Sequence, residues 1–356
     1  MVPDYFSGIK NSLIRRKRFI FALLHLLIIL GLAEFLLRTF DVSRLMDADF
    51  RFYIRRVDND LEKDFNREDS LLMWSLRPGY DDGEGYIKIN SRGFRDREYK
   101  FKKDKRVFRI LCLGDSTTWG YRLLLSETYH SLLEDRLNRE YGGKLRFEVI
   151  NFGVTGYSTF QSLMQLQYRG LKYKPDIVTY YGLSNDPTRR FSYSDSQIMS
   201  GKVPVFIRMF LNGFLLKLST YRILRKIFLY ALRRNPQTRK SLTPRVSPEE
   251  FKKNILLINS LCRNRDIPFA LFSQPFCRRK SVAFARFADV TRYKRDLEEI
   301  AAENRIPVIT IPEMESDSLE ASAYFDDSSH PNAPGHAVIM ERMFRFLSEK
   351  GLLPQK

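Results

Sequence analysis

The sequence predicts an α/β protein: five parallel strands covered by helices on both faces, preceded by one transmembrane helix and a small β-rich segment. Three observations carry that expectation. Short apolar runs recur at 107–113, 147–151, 176–181, 268–272 and 307–311, bounded by turn residues and of strand length. Helical stretches stand between them, and strands that alternate with helices pair in parallel because each crossover returns the chain to the same edge. Ahead of these lies an uninterrupted apolar run at 19–37, about the length of a hydrocarbon core.

Taken in order, residues 1–18 hold five Lys or Arg against one Asp, a basic tail ending in Arg15, Arg16, Lys17 and Arg18. The run FIFALLHLLIILGLAEFLL follows; as a helix it spans roughly 28 Å. The positive-inside rule sets the tail in the cytoplasm and everything after Arg38 outside. Glu34 lies within a turn of the outer end, where its carboxylate reaches the interface at modest cost. Gly31-Leu32-Ala33 has the small-x-small pattern of a signal-peptide cleavage site, which is the competing reading. The apolar residues that continue through Phe35, Leu36 and Leu37 favour an uncleaved anchor over 19–38. Either reading exports the rest of the chain.

Residues 39–104 are polar and charged. Ile87-Lys88-Ile89-Asn90 alternates and runs into the turn-like Ser91-Arg92-Gly93-Phe94-Arg95-Asp96, so the stretch reads as a small β-rich juxtamembrane segment. The α/β pattern occupies 105–352. Its first strand ends at Gly114, and a helix follows over 127–141. The helix before the fourth strand opens on the capping box Ser247-Pro248-Glu249-Glu250, and Pro334 starts the last helix, which runs to about Glu349. In a parallel sheet of this kind, sites form beyond the carboxyl ends of the strands. Ser116, Gly156, Asn185 and His330 all fall just after predicted strands or in the loops that follow.

Composition narrows the function classes. A hydrophobic fraction of 44% supports a real core. The three cysteines, Cys112, Cys262 and Cys277, have no metal-type spacing and argue against a disulfide framework, with a Cys262–Cys277 bridge as the one pairing open. Four histidines supply no zinc cage and no HExxH site. The net charge of +18 is concentrated: residues 196–248 hold eleven Lys or Arg and no Asp or Glu, and residues 1–18 add a net +4. Charge gathered in two blocks, each tied to an apolar run, suits a membrane surface or an anionic polymer better than nucleic acid.

Two segments carry the chemistry. Gly114-Asp115-Ser116-Thr117-Thr118 and Asp327-Ser328-Ser329-His330-Pro331 together offer a hydroxyl, an imidazole and a carboxylate. A serine hydroxyl becomes a nucleophile at neutral pH only beside a base that takes its proton, and that base needs a partner to hold its tautomer. The bland reading of Ser116 is a helix N-cap after a strand.

With Asn151-Phe152-Gly153-Val154-Thr155-Gly156 and Gly182-Leu183-Ser184-Asn185-Asp186 between them, four blocks stand in order on the βα background, and over roughly 106–350 the chain resembles the SGNH hydrolases, the GDSL esterase/lipase family. The resemblance implies a flavodoxin-like three-layer α/β/α sandwich on a five-stranded parallel sheet. It implies Ser116 as nucleophile, His330 as base, and Asp327, three residues before the histidine, as the group that orients it, ahead of the adjacent Asp326. It implies an oxyanion hole from the N–H groups of Ser116 and Gly156 and the Asn185 amide, with Gly153 as the rival glycine. No metal and no cofactor is implied. Thr117 stands where the family motif has leucine, outside the catalytic set. Asp115 and Asp186 read as loop-ordering residues, His336 as structural, and Trp119 and Tyr157 as residues that line the site or pack beside it.

Between Asn185 and the fourth strand the connection is longer than a βα unit needs. Within it, 214–232 sets Leu216, Thr220, Ile223, Ile227 and Ala231 on one helical face and Lys217, Arg222, Arg225 and Lys226 on the other. That pattern fits a basic amphipathic helix lying on the membrane as a lid or substrate guide, or a surface helix with a solvated basic face. The leading expectation is therefore a membrane-anchored serine esterase, facing outward, that removes acyl or acetyl groups from a lipid or cell-envelope glycan. An O-acyltransferase using the same triad on an envelope polysaccharide is the alternative, followed by a non-catalytic polysaccharide- or lipid-binding protein. No nucleic-acid-binding motif is present.

Overall fold

The structure is a computed structural model that describes residues 5–39, 65–69, 71–141, 143, 145–191, 194–199, 220, 243–280, 284–315 and 318–355. The chain divides into two compact units. One comprises Met1–Asn59 and Val203–Lys240, the other Asp60–Lys202 and Ser241–Lys356.

In the first unit, helix α1 spans Tyr5–Thr39. Its stretch Arg15–Leu36 is long and apolar enough to cross a membrane, with a mean hydropathy of 2.5 and none of it buried in the protein. Glu34, the one acid in that stretch, accepts hydrogen bonds from the N–H and the hydroxyl of Thr220, both at 2.9 Å. Apart from Thr220, the expected amphipathic helix at 214–232 lies outside the described residues, as does most of the basic insertion.

The second unit begins with a hairpin in which β1 (Asn66–Asp69) pairs antiparallel with β2 (Met73–Leu76). An isolated antiparallel bridge joins Asp81 and Lys88. The main sheet follows from the apolar runs: β3 (Val107–Gly114), β4 (Arg146–Gly153), β5 (Ile177–Tyr181), β8 (Phe269–Phe272) and β9 (Val308–Ile309). A second small ribbon pairs β6 (Arg189–Phe191) with β7 (Thr243–Pro244). The five main strands are all parallel and lie in the order β4-β3-β5-β8-β9. This is the flavodoxin-like arrangement, in which the first strand sits inside the second and the rest follow on one side. The fifth strand is shorter than the expected 307–311, because Pro312 starts a 3₁₀ turn and Ile311 already leaves the extended region.

Alternation along each strand divides the core. Leu111 and Leu113 face one way, with Ile150, Phe152, Val178 and Leu271, and are covered by α4 (Thr159–Tyr168), α6 (Pro248–Arg263) and α7 (Phe284–Asn304). Ile110 and Cys112 face the other way, with Val149, Ile177 and Phe272, under α3 (Tyr129–Tyr141) and α9 (Ala333–Glu349). A third cluster joins Phe65, Leu72, Trp74, Leu76 and Ile89 to Trp119, Val154 and Tyr157. The β-rich stretch from Phe65 onward is thus packed into the same compact unit as the sheet, against loops at the carboxyl ends of β3 and β4. All three cysteines are free and buried, so the Cys262–Cys277 pairing is not made; Cys262 lies inside α6 facing the core.

Candidate active site

Strand β3 delivers the chain to the carboxyl edge of the sheet at Gly114. A Cβ there would collide with the Tyr181 carbonyl and the Thr118 hydroxyl, so only glycine lets the chain turn this tightly. Asp115 then caps the short helix α2 (Ser116–Trp119). Its Oδ1 accepts from Thr117 N–H at 2.9 Å and from the Thr117 hydroxyl at 2.8 Å, and its Oδ2 accepts from the Ser184 hydroxyl at 3.2 Å. Asp115 therefore orders the loop, as expected. Ser116 opens the helix, so its N–H has no intrahelical partner.

The Ser116 hydroxyl lies 2.8 Å from His330 Nε2. On the other side of the ring, His330 Nδ1 lies 2.7 Å from Asp327 Oδ2. Asp327 Oδ1 accepts from the N–H groups of Ser329 at 2.9 Å and His330 at 3.0 Å, so one carboxylate closes its own loop and holds the imidazole. Burial pushes the Asp327 carboxyl up, but the hydrogen bond and charge of His330 and the two backbone N–H groups outweigh it. The result lies well below the usual carboxylate range. A carboxylate at Nδ1 fixes the tautomer that leaves a lone pair on Nε2, toward the serine. Asp326 is exposed, and its N–H donates to the His330 carbonyl. The ring of Tyr121, a residue the sequence did not single out, stands 4.6 Å from the imidazole, centroid to centroid.

The two rival glycines behave differently. Gly153 is the last residue of β4, and its N–H donates to Asn151 Oδ1 at 2.8 Å. Gly156 sits in the turn beyond, at φ 78°, a left-handed conformation that favours glycine. Among the described residues, its N–H donates to no protein group. Asn185 is buried beside it, with Nδ2 donating to Asp115 Oδ2 at 3.0 Å and to the Tyr157 carbonyl at 3.1 Å. Both partners are acceptors, which fixes the amide with its nitrogen toward Asp115 and the turn.

The remaining expected residues pack. Trp119 is buried, with its ring stacked on Phe65 and beneath the Arg95 guanidinium. Tyr157 is buried, and its hydroxyl donates to the Trp74 carbonyl at 2.7 Å. His336 is buried, and its Nδ1 accepts from Tyr129 N–H at 3.0 Å, which requires the neutral ring. Burial, with the charges of Arg95 and His330, pushes it down to about 3. Asp186 is buried, accepts from Thr159 N–H through both oxygens at 3.1 Å and from the Thr159 hydroxyl, and ties the β5 loop to the start of α4. Among the described residues, no group of three His, Cys, Asp or Glu could hold a metal ion.

Three supporting residues were not legible as such. Arg95 is 1% exposed and carries its guanidinium to the carbonyls of Tyr86, Trp119, Gly120 and Leu123, tying down the end of α2. Trp74 and Arg245 bind the turn that holds Gly156. Arg95 lay within a turn-like motif and Arg245 within the basic insertion, so each had a signal, but of another kind.

Residues 112–338 match the model of the GDSL-like lipase/acylhydrolase family. Among solved structures, a lipase/acylhydrolase from Enterococcus faecalis is 18% identical with a TM-score of 0.45, over 70% of this chain and 99% of that one. A lipolytic protein of the G-D-S-L family from Desulfitobacterium hafniense, described as putative, is 14% identical with a TM-score of 0.43, over 67% and 98%. An acetyl xylan esterase is 15% identical with a TM-score of 0.43, over 67% and 100%. Among curated proteins none matches.

Proposed function

Because the chain belongs to the GDSL-like lipase/acylhydrolase family and is an ester-hydrolysing enzyme, we infer that Ser116, His330 and Asp327 carry out its reaction. The observation that carries this reading is the unbroken relay from the Ser116 hydroxyl to His330 Nε2 at 2.8 Å and from Nδ1 to Asp327 at 2.7 Å. His330 takes the Ser116 proton as the oxygen attacks the ester carbonyl, and Asp327 stabilises the imidazolium that results. The same proton passes to the leaving alcohol when the tetrahedral intermediate collapses. Water then attacks the acyl-enzyme by the reverse route.

Negative charge on the former carbonyl oxygen falls to the N–H groups of Ser116 and Gly156. Asn185 joins them by exchanging one of its two present acceptors for the oxyanion. The substrate is an acyl or acetyl ester of a lipid or cell-envelope glycan. Helix α1 anchors the enzyme in the membrane with Arg15–Arg18 on the cytoplasmic side, and the catalytic unit works outside.

The test is turnover of p-nitrophenyl acetate and longer p-nitrophenyl esters by the full chain in detergent, beside Ser116→Ala. The variant is expected to lose about a thousandfold or more in kcat. Turnover that survives in the variant would sink the assignment, and the preferred chain length separates an acetyl ester from a lipid.

A further inference from the structure

The turn that presents Gly156 has an unusual set of supports. Three successive carbonyls in it are each held by a side chain from elsewhere in the catalytic unit. The Thr155 carbonyl accepts from Trp74 Nε1 at 3.2 Å, that of Gly156 from Arg245 Nη1 at 2.5 Å, and that of Tyr157 from Asn185 Nδ2 at 3.1 Å. The donors are contributed by the N-terminal hairpin, by the residue that follows β7, and by the loop after β5.

Peptide geometry gives these bonds a direction. The Thr155 carbonyl and the Gly156 N–H belong to one planar trans peptide and point to opposite sides of it. A hydrogen bond that fixes the carbonyl therefore aims the N–H. The Gly156 carbonyl belongs to the next peptide, so Arg245 fixes the other side of the same α-carbon. Glycine has the widest freedom of any residue about φ and ψ, and here both planes that meet at it are clamped.

The clamp is itself rigid. Arg245 is 2% exposed and pairs with Asp195 at 2.7 Å. It also donates to Gln161 Oε1 at 2.6 Å, and its guanidinium lies 5.5 Å from the Trp74 ring centroid. Asp195 in turn accepts from the Ser158 hydroxyl at 2.7 Å, at the far end of the turn.

We propose that Trp74 and Arg245 are positioning residues for the oxyanion donor Gly156 N–H, holding it aimed before charge develops on the substrate. The proposal rests on the esterase reading above, since it presumes that Gly156 N–H receives that charge. Preorganised donors stabilise a transition state because they need no reorientation at the moment of reaction. A donor free to swing loses that advantage while leaving substrate binding intact. Trp74 lies outside the family match, which begins at residue 112, so this support is a property of the longer chain.

The experiment uses the full chain in detergent micelles with Trp74→Phe, which keeps an aromatic ring and removes the indole N–H, and Arg245→Lys, which keeps the charge and removes the fork. Steady-state kinetics on a p-nitrophenyl ester are measured together with the rate of inactivation by a p-nitrophenyl alkylphosphonate, whose phosphoryl oxygen takes the oxyanion position. Trp74→Phe is expected to lower kcat by about tenfold to a hundredfold, less than outright loss of a donor, with KM within about twofold. Phosphonylation is expected to slow by the same factor. Tyr293→Phe serves as the control: it removes a buried hydrogen bond to the Val246 carbonyl, 2.6 Å long and next door to Arg245, and is expected to lower the melting temperature without changing kcat.

The positioning role is overturned if Trp74→Phe keeps wild-type kcat, or if its loss only tracks the folded fraction. Should Arg245→Lys fail to fold, Trp74→Phe decides the matter. Ser116→Ala separates the two levels: retained turnover there overturns the esterase reading and this proposal with it. Loss there with full activity in Trp74→Phe overturns the positioning role alone.

Discussion

The two halves of the site are built in opposite ways. The half proposed for acid–base work is local: Asp327 and His330 are three residues apart on one loop, the carboxylate binds that loop's own N–H groups, and both side chains remain partly exposed, 19% for His330 and 40% for Asp327. The half around Ser116 and Gly156 is assembled from distant segments and is almost fully buried. Its supports bridge 81 residues from Trp74 to Thr155 and 89 from Gly156 to Arg245. A local device can fail chemically without disturbing the fold. A non-local one ties the geometry of the proposed donors to the stability of the whole unit.

The sharpest way to break that contrast is at the imidazole and its carboxylate. His330→Ala is expected to lower kcat by about a thousandfold or more, and Asp327→Asn by about a hundredfold or more, because the amide no longer fixes the tautomer. Both should melt within a few degrees of wild type, and Asp326→Asn should keep full activity. A large fall in melting temperature in either variant would show that the loop is not the self-contained device its hydrogen bonds describe.

Arg95→Met tests the other half. It strips the buried carbonyls of Trp119 and Leu123 of their donor, at a cost of about 3 kcal/mol or more. Denaturant unfolding should register that loss, and kcat should fall even at temperatures where the variant stays folded. Unchanged stability would contradict the brace.

The smallest effect is one of pH, and here the two halves slope in opposite directions. Asp327 is held below its ordinary value, so its contribution to stability is present at neutral pH and is lost as the pH falls below about 4. Asp186 is pushed up to about 7, chiefly by burial. The folded chain therefore binds a proton there that the unfolded chain has released, and the contribution of Asp186 declines as the pH rises from about 4 to about 7. The stability difference between wild type and Asp186→Asn, measured as unfolding midpoints from pH 5 to pH 8, should shift steadily against the wild type. A flat difference would mean that Asp186 is ionised throughout.

The same contrast explains what could be read from the chain. The strands of the main sheet announced themselves because each is an apolar run buried on both faces, and the DxxH spacing announced the Asp327–His330 contact because it spans one turn of chain. Gly153 and Gly156 both stood in the second block, and the sequence did not show that the Asn151 side chain occupies the Gly153 N–H. Trp74, Arg95 and Arg245 escaped because the local signals around them, an apolar run, a turn-like stretch and a basic tract, point to other roles. An indole in an apolar strand reads as ordinary core and an arginine in a basic tract as a surface residue until the fold brings their targets within reach. The stretch before residue 105 was expected to be β-rich on the alternation at 87–90, where the structure has only the isolated bridge at Lys88; its hairpin at 66–76 and its packing against Trp119, Val154 and Tyr157 were not legible, because apolar packing between segments far apart in sequence leaves no local pattern.

The hairpin also fixes where this protein can be cut. A soluble version trimmed to the family boundary at residue 112 would lose the partner of Thr155, the brace of α2 and the stacking face of Trp119 in a single stroke. A cut that keeps Phe65 and everything after it retains all three. The shortest active version is therefore expected to start upstream of residue 112, and a grafted or recombined version that swaps the Ser116 loop alone would inherit that loop without the groups that steady it.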